Sequence, residues 1–284
     1  MNVILRPVWN RPEMLALSLE SEKAARARTH EDYVTVFAIE YGAPPKVLDL
    51  ITNYEFPARY IVRKKHFGIT RNVLEGMKAA FDIAESYVIH LEDDVVLHES
   101  YFEFMGALRV IAKEWSVLSA YSQTNEGDVR AVVKREWYSA LAPLISKRFF
   151  NAYIARHAKQ EYYARKVEYM LRLGVQYARS SLYKYKDATH CQQAGLINRL
   201  VDVAHIERGW RVFSAEIPRQ IHIGFYGANR LGALPPGSFS ERLAWLRRAI
   251  ARGELYAATR SKEYDDYLPF SPKLETWDGT LYVK

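Results

Sequence analysis

The sequence predicts an α/β fold in which a mixed sheet is flanked by helices and interrupted by one helical, basic insertion. Three observations lead there. Over about the first 125 residues, short apolar runs alternate with patterns of helical period, as strands and crossover helices of a parallel sheet do. One of those runs, Tyr87 to Leu91, stops at three consecutive carboxylates, Glu92, Asp93 and Asp94. Residues 138 to 186 carry no strand signal and are rich in Ala, Arg, Lys, Tyr and Leu, which reads as helix.

Taken in order, Val3 to Leu5 is the first strand, and Pro12 opens a helix with apolar Met14, Leu15, Leu17 and Leu19. Val34 to Ile39 is a second strand closed by the loop Tyr41-Gly42-Ala43-Pro44-Pro45. A short helix over Lys46 to Thr52 leads to a strand at Arg59 to Val62. Thr70 to Glu85 is helical and delivers the chain to the strand before the triplet. Val95 to Leu97, a helix from Glu99 to Lys113 and a strand at Val117 to Tyr121 follow. A late helix runs from Ala188 to Arg208, then strands at Arg211 to Phe213 and Gln220 to Ile223, and a Gly- and Pro-rich loop from Gly224 to Gly237. Ser240 to Arg252 is an amphipathic helix, and the last thirty or so residues read as a tail packed on the surface.

Composition narrows the classes. About half the residues are hydrophobic and a quarter charged, as in an ordinary globular protein of 284 residues. No apolar run approaches the roughly 20 residues that span a bilayer, and the N-terminal stretch is too quickly charged for a signal peptide, so a cytoplasmic location is expected. A single cysteine, Cys191, excludes an internal disulfide and a cysteine-built zinc site. The net charge of +7 is concentrated: Ser146 to Lys186 holds ten Lys or Arg against two Glu. Such a segment is an electrostatic footprint for an anionic partner.

In open parallel sheets ligands bind beyond the carboxyl ends of the strands, which is where Glu92, Asp93 and Asp94 fall. Three adjacent anions repel one another, and a Mn²⁺ or Mg²⁺ ion carrying diphosphate oxygens would relieve that repulsion. The alternative is a solvated acidic turn. The whole pattern resembles the GT-A (Rossmann-like) glycosyltransferases, and within them the N-acetylglucosaminyltransferase I branch. The stretches that carry the resemblance are VILRPVWNRPEML, KKHFGITRNVLEGMKAAF, the acidic triplet, VLSAYSQTNEG and RVFSAEIPRQIHIGFYG. It covers residues 3 to 127 and 187 to 230.

The resemblance implies transfer of a sugar from a nucleotide-diphosphate donor, a UDP-sugar, with Asp94 as the direct metal ligand and Glu92 and Asp93 on the ribose or metal-bound water. It implies Arg6 and Asn10 near the nucleotide, Glu40 near the base or ribose and Arg71 near the phosphates. His222 is either a completing metal ligand or a histidine filling a polar slot beside its strand. An inverting transfer needs a base. Here the carboxylates expected at the start of the late helix are glutamines, Gln192 and Gln193, which leaves Asp187, otherwise an N-cap, with His190 and Glu126 as further candidates.

Four regions follow: a nucleotide-sugar-binding core over 1–127, a helical basic acceptor lobe over 128–186, the rest of the core over 187–230, and a C-terminal helix and tail over 231–284. In the basic lobe arginines and lysines interleave with Tyr153, Tyr162, Tyr163, Tyr169, Tyr177, Tyr183 and Tyr185, a combination suited to phosphates and bases. The acceptor is therefore expected to be anionic: hydroxymethylated pyrimidine in DNA, as modified by some bacteriophage glycosyltransferases, or alternatively a lipid-linked or surface glycan. A nucleotidyltransferase would carry a Gly-rich phosphate loop near the first strand, and none is present. A non-catalytic nucleic-acid-binding protein leaves the acidic triplet without a task.

Overall fold

A strand buried on both faces needs a continuous apolar run, and the first strand, β1 (Asn2–Val8), has one. Helix α1 (Pro12–Arg26) begins on Pro12, where a missing N–H costs nothing. Then come β2 (Tyr33–Ile39), α2 (Pro45–Thr52), β3 (Ala58–Val62), α3 (Gly68–Ile83), β4 (Tyr87–His90), β5 (Val95–Leu97), α4 (Tyr101–Ile111) and β6 (Trp115–Ser119). The computed structural model describes residues 1–176, 192–226, 232–255 and 270–284.

Next are β7 (Ala131–Arg135) and β8 (Leu144–Ser146), then the helical turn α5 (Lys147–Phe149), which continues through π- and 3-10 turns to His157. Helices α6 (Gln160–Ala164) and α7 (Lys166–Gln176) complete the basic lobe. After it stand α8 (Gln193–Arg208), β9 (Arg211–Ala215), β10 (Gln220–His222), α9 (Phe239–Ala251) and β11 (Tyr282–Val283). Gly209 ends α8 at φ +70°, a left-handed turn that glycine takes without penalty. Ser238 and Glu241 cap α9 reciprocally.

Among the described residues the sheet has nine strands in the order β11-β7-β9-β6-β8-β4-β1-β2-β3. Strands β1, β2, β3 and β4 run parallel, and β8 inserts antiparallel between β4 and β6. Successive residues of β1 face opposite ways. Val3 and Leu5 belong to the core that α3, α8 and the basic lobe fill, whereas Ile4 belongs to the one that α4 and the tail fill. Helix α3 lies close on the sheet because Gly76 carries no side chain: a Cβ there would stand 2.9 Å from Leu5 and 3.1 Å from Ala38.

Two expectations are corrected. The region from 138 to 186 is not wholly helical, because β8 runs through the middle of the sheet, and with β7 the expected acceptor lobe supplies two strands. Three residues between Pro143 and a helical turn are too few to show a period. The last residues are also more than a surface tail. Strand β11 extends the sheet beside β7, and Trp277 covers the buried Arg219 guanidinium, which lies 3.8 Å from the Phe104 ring centre and 4.9 Å from that of Trp277. No helix among the described residues is long and apolar enough to cross a membrane.

Candidate functional site

Strand β1 pairs with β2 on one side and β4 on the other, so the chain winds outward through β2 and β3 before returning to β4. That reversal opens a crevice beyond the carboxyl ends of β1 and β4. The loop after β1 supplies Trp9, Asn10 and Arg11, and the turn after β4 supplies Glu92, Asp93 and Asp94. The Leu91 amide donates to the Leu5 carbonyl at 2.9 Å and fixes the two loops against each other.

Asp93 and Asp94 are buried, and Arg11 forks onto both. Its Nη1 lies 2.5 Å from Asp94 Oδ2, while Nη2 and Nε face the two oxygens of Asp93. A second cationic or metal-binding group comes from far along the chain. Strand β10 pairs antiparallel with β5, His222 opposite Val95, and the Ile223 amide donates to the Asp94 carbonyl. This register sets His222 Nε2 3.1 Å from Asp94 Oδ2. Beside them a Cβ on Gly224 would stand 2.3 Å from Asp94 Oδ2 and 2.4 Å from His222 Nε2, so the space exists only because residue 224 is glycine.

The electrostatics follow from that packing. Burial alone would raise the Asp94 carboxyl, but Arg11 and His222 overrule it and hold it well below the usual carboxylate range. Burial would likewise lower Arg11, and the adjacent carboxylates instead hold it above its ordinary value. Asp94 Oδ1 is buried with no hydrogen-bond partner, a costly state for a carboxylate oxygen. Beneath the triplet, burial pushes the His90 imidazole down to about 4, and it stays neutral 3.7 Å from Glu92 Oε1. Among the described residues no group of three or more His, Cys, Asp or Glu side chains is gathered as a metal centre. What the site offers is the Asp94 carboxylate and the His222 imidazole side by side.

At the neighbouring carboxyl end of β2, Glu40 is buried. Its Oε1 accepts from the backbone N–H groups of Tyr41 and Phe67 at 2.8 and 2.9 Å, and its Oε2 has no hydrogen-bond partner. The Trp9 and His66 rings stand 5.1 Å apart across the same edge. Arg71, in the first turn of α3, lies over Phe67 and Tyr163 at 4.1 and 5.2 Å. Asn10 is exposed in the loop after β1.

Arg6 is placed differently. It is fully buried, with Nε 2.8 Å from Glu22, and Ser18 accepts from Nη1. Glu22 also takes Arg26 and the Tyr54 hydroxyl, so the arginine holds α1 to the sheet and is not turned toward the crevice. Asp187 and His190 lie outside the described residues, as does Cys191. Glu126 is exposed in the loop before β7. The residue that sequence reasoning missed is Arg11. Its only signal was position, a base immediately before the proline that starts α1.

In the basic lobe Tyr153, Tyr162 and Tyr169 are buried in the core rather than presented to a partner. Arg156, Lys159, Arg165 and Arg172 are exposed, with Lys159 and Arg172 both paired to Glu161 and Arg165 to Glu168.

No family model and no curated protein matches the chain. Among solved structures it is similar to TarS of S. aureus, residues 1–349, with TM-score 0.45 and 10% identity over 72% of this chain and 73% of that one. A mannosyltransferase from Pyrobaculum calidifontis, solved with GDP-Man and Mn²⁺, is similar with TM-score 0.42 and 8% identity over 89% and 74%. Mouse xyloside xylosyltransferase 1 gives 0.44 and 12% over 75% and 84%. At these scores and identities a likeness carries no argument about activity.

Proposed function

We propose that this chain is a GT-A glycosyltransferase that moves a sugar from a nucleotide-diphosphate donor to a hydroxyl acceptor. The observation that carries the reading is the acidic triplet at the carboxyl end of β4, where the sheet reverses direction and the Asp94–His222 pair closes on a glycine. Open α/β sheets bind ligands at that reversal.

The residues present fit a divalent cation that is held in part by substrate phosphates. Asp94 and His222 are the protein ligands, and the clearance that Gly224 leaves beside Asp94 Oδ2 and His222 Nε2 supports this. When bound, such a cation stabilises the negative charge that develops on the departing nucleotide diphosphate. Glu92, the partly buried first residue of the triplet, orients the ribose or a cation-bound water. Glu40 Oε2 accepts a hydrogen bond from the base or ribose, and the Trp9 and His66 rings flank the nucleoside. Asn10 and Arg71 line the donor's path, Arg71 on the phosphate side.

For an inverting transfer the base is Asp187 or His190. Separate Asp187→Asn and His190→Gln variants distinguish them by which one loses turnover while keeping donor binding. The acceptor is anionic and approaches over the basic lobe. The exposed Arg156 and Arg165 support this, whereas the buried tyrosines remove much of the stacking expected for DNA. A salt titration on a duplex containing hydroxymethylated pyrimidine separates DNA, whose binding falls linearly with log salt, from a glycan acceptor.

The test of the central reading is the melting temperature in a panel of nucleotide sugars with Mn²⁺. At least one should raise it, and Asp94→Ala should lose both that rise and all turnover while folding normally. A wild type indifferent to every donor, or full activity of Asp94→Ala, would sink the assignment.

A further inference from the structure

Arg11 and a cation compete for the same carboxylate. The guanidinium reaches Asp94 through Nη1 alone, at 2.5 Å, and holds Asp93 through Nε and Nη2. The oxygen it takes on Asp94 is Oδ2, the one beside His222 Nε2 and under Gly224. A cation shared by Asp94 and His222 needs that corner, so Nη1 and the cation are alternatives.

Charge counting says which one holds the site when no donor is present. Asp93 and Asp94 against the one Arg11 leave this corner of the crevice formally anionic, so a free diphosphate is repelled by it. A free divalent cation, for its part, must displace a charge-assisted bond that is already made and partly buried. A cation arriving with a diphosphate offsets both obstacles. It neutralises Asp94, and the diphosphate gives the released Nη1 another anionic oxygen to bind.

We propose that Arg11 is a built-in counter-ion, pivoting on Asp93, whose Nη1 passes from Asp94 to the diphosphate when the cation enters, so that the site admits cation and nucleotide together and resists the cation alone. The proposal rests on the donor-site reading above and adds an order of binding and a positioning residue that the acidic motif does not specify.

Mn²⁺ binding, read by the electron paramagnetic resonance signal of the free ion, tests it on the whole chain without any turnover. In the absence of nucleotide, Arg11→Gln should bind Mn²⁺ roughly tenfold or more tighter than wild type, because it leaves a buried carboxylate pair uncompensated. With UDP present the order should reverse, the variant now binding the Mn²⁺–UDP pair more weakly for want of the phosphate contact. A merely structural arginine would not produce that crossing. Arg11→Lys keeps a charge but no fork, and should fall between the two in Mn²⁺ alone.

Should Arg11→Gln fail to fold without cation, its recovery in Mn²⁺ supports the proposal and the absence of recovery overturns it. Equal Mn²⁺ affinity of wild type and Arg11→Gln without nucleotide overturns it too, while leaving the glycosyltransferase reading standing if UDP still binds with Mn²⁺. A wild type that takes up neither Mn²⁺ nor the Mn²⁺–UDP pair would refute the donor site itself.

Discussion

Gly224→Ala adds one methyl group at the point where Asp94 and His222 meet. Gly224 does not sit in the left-handed region, so the backbone accepts alanine and the effect is steric. The new Cβ would stand 2.3 Å from Asp94 Oδ2 and 2.4 Å from His222 Nε2, where ordinary contact begins at 3.4 Å. Each side chain must therefore retreat by about 1 Å: Asp94 is buried and held by Arg11, and His222, partly buried, must turn its ring away from Asp94. Overpacking of this kind costs about 1–3 kcal/mol, a few degrees of melting temperature.

The larger loss falls on the cation. Displaced ligands commonly weaken metal binding ten- to a hundredfold, about 1.4–2.8 kcal/mol. The assay is the UDP-dependent rise in melting temperature, titrated with Mn²⁺. The half-maximal Mn²⁺ concentration should increase by that factor in Gly224→Ala and stay unchanged in Gly106→Ala, whose added Cβ meets nothing nearer than 3.8 Å. A variant with the wild-type Mn²⁺ requirement would refute the placement of the cation between Asp94 and His222.

Two further outcomes concern stability. Glu22→Ala strips the shared carboxylate from Arg6 and Arg26 and leaves the Arg6 guanidinium buried without a counter-charge, so urea unfolding should register a loss of about 3–5 kcal/mol; a loss under 1 kcal/mol would mean the network contributes little. His157, 2.6 Å from the Tyr169 hydroxyl, is pushed down to about 4, first by burial and then by Arg156 and Lys159. Between its ordinary ~6.5 and that value the unfolded chain binds a proton that the folded one does not, so stability is complete above pH ~6.5 and falls as pH drops toward 4. The full shift corresponds to at most about 3 kcal/mol, and general solvent screening reduces it to about 2. His157→Phe should flatten that part of the stability curve, and a curve parallel to wild type would contradict the assignment.

What was legible in the sequence followed from local pattern. Runs such as Val3 to Leu5 and Tyr87 to Leu91 announced doubly buried strands, and the three acids were legible as the turn that ends the second of them. Arg6 also carried a signal that went unread. An arginine within an apolar strand needs a buried partner, and Glu22 and Arg26, four apart on one helix face, are the residues that complete it. Arg11 was harder, because its carboxylates lie 82 and 83 residues away and only the β1–β4 pairing brings them together. Strand β8 had too few residues to declare a period. Tyr153, Tyr162 and Tyr169 misled because charge drew attention to their surroundings, whereas their task is to fill the core with α3 and α8.

The insertion of β8 also shapes how the chain is made. Strands β1 to β4 can pair among themselves as soon as they are synthesised, but β4 ends at His90 and its second neighbour begins only at Leu144. Strand β6 waits for β8 on one side and for β9, starting at Arg211, on the other. At ~5–20 residues per second, a nascent chain holds these apolar edges open for several seconds. Three residues, Leu144 to Ser146, then join the two halves of the sheet. A charge or a proline placed there would leave two folded pieces with sticky margins, and its first symptom would be aggregation during expression, before any loss of activity could be assayed.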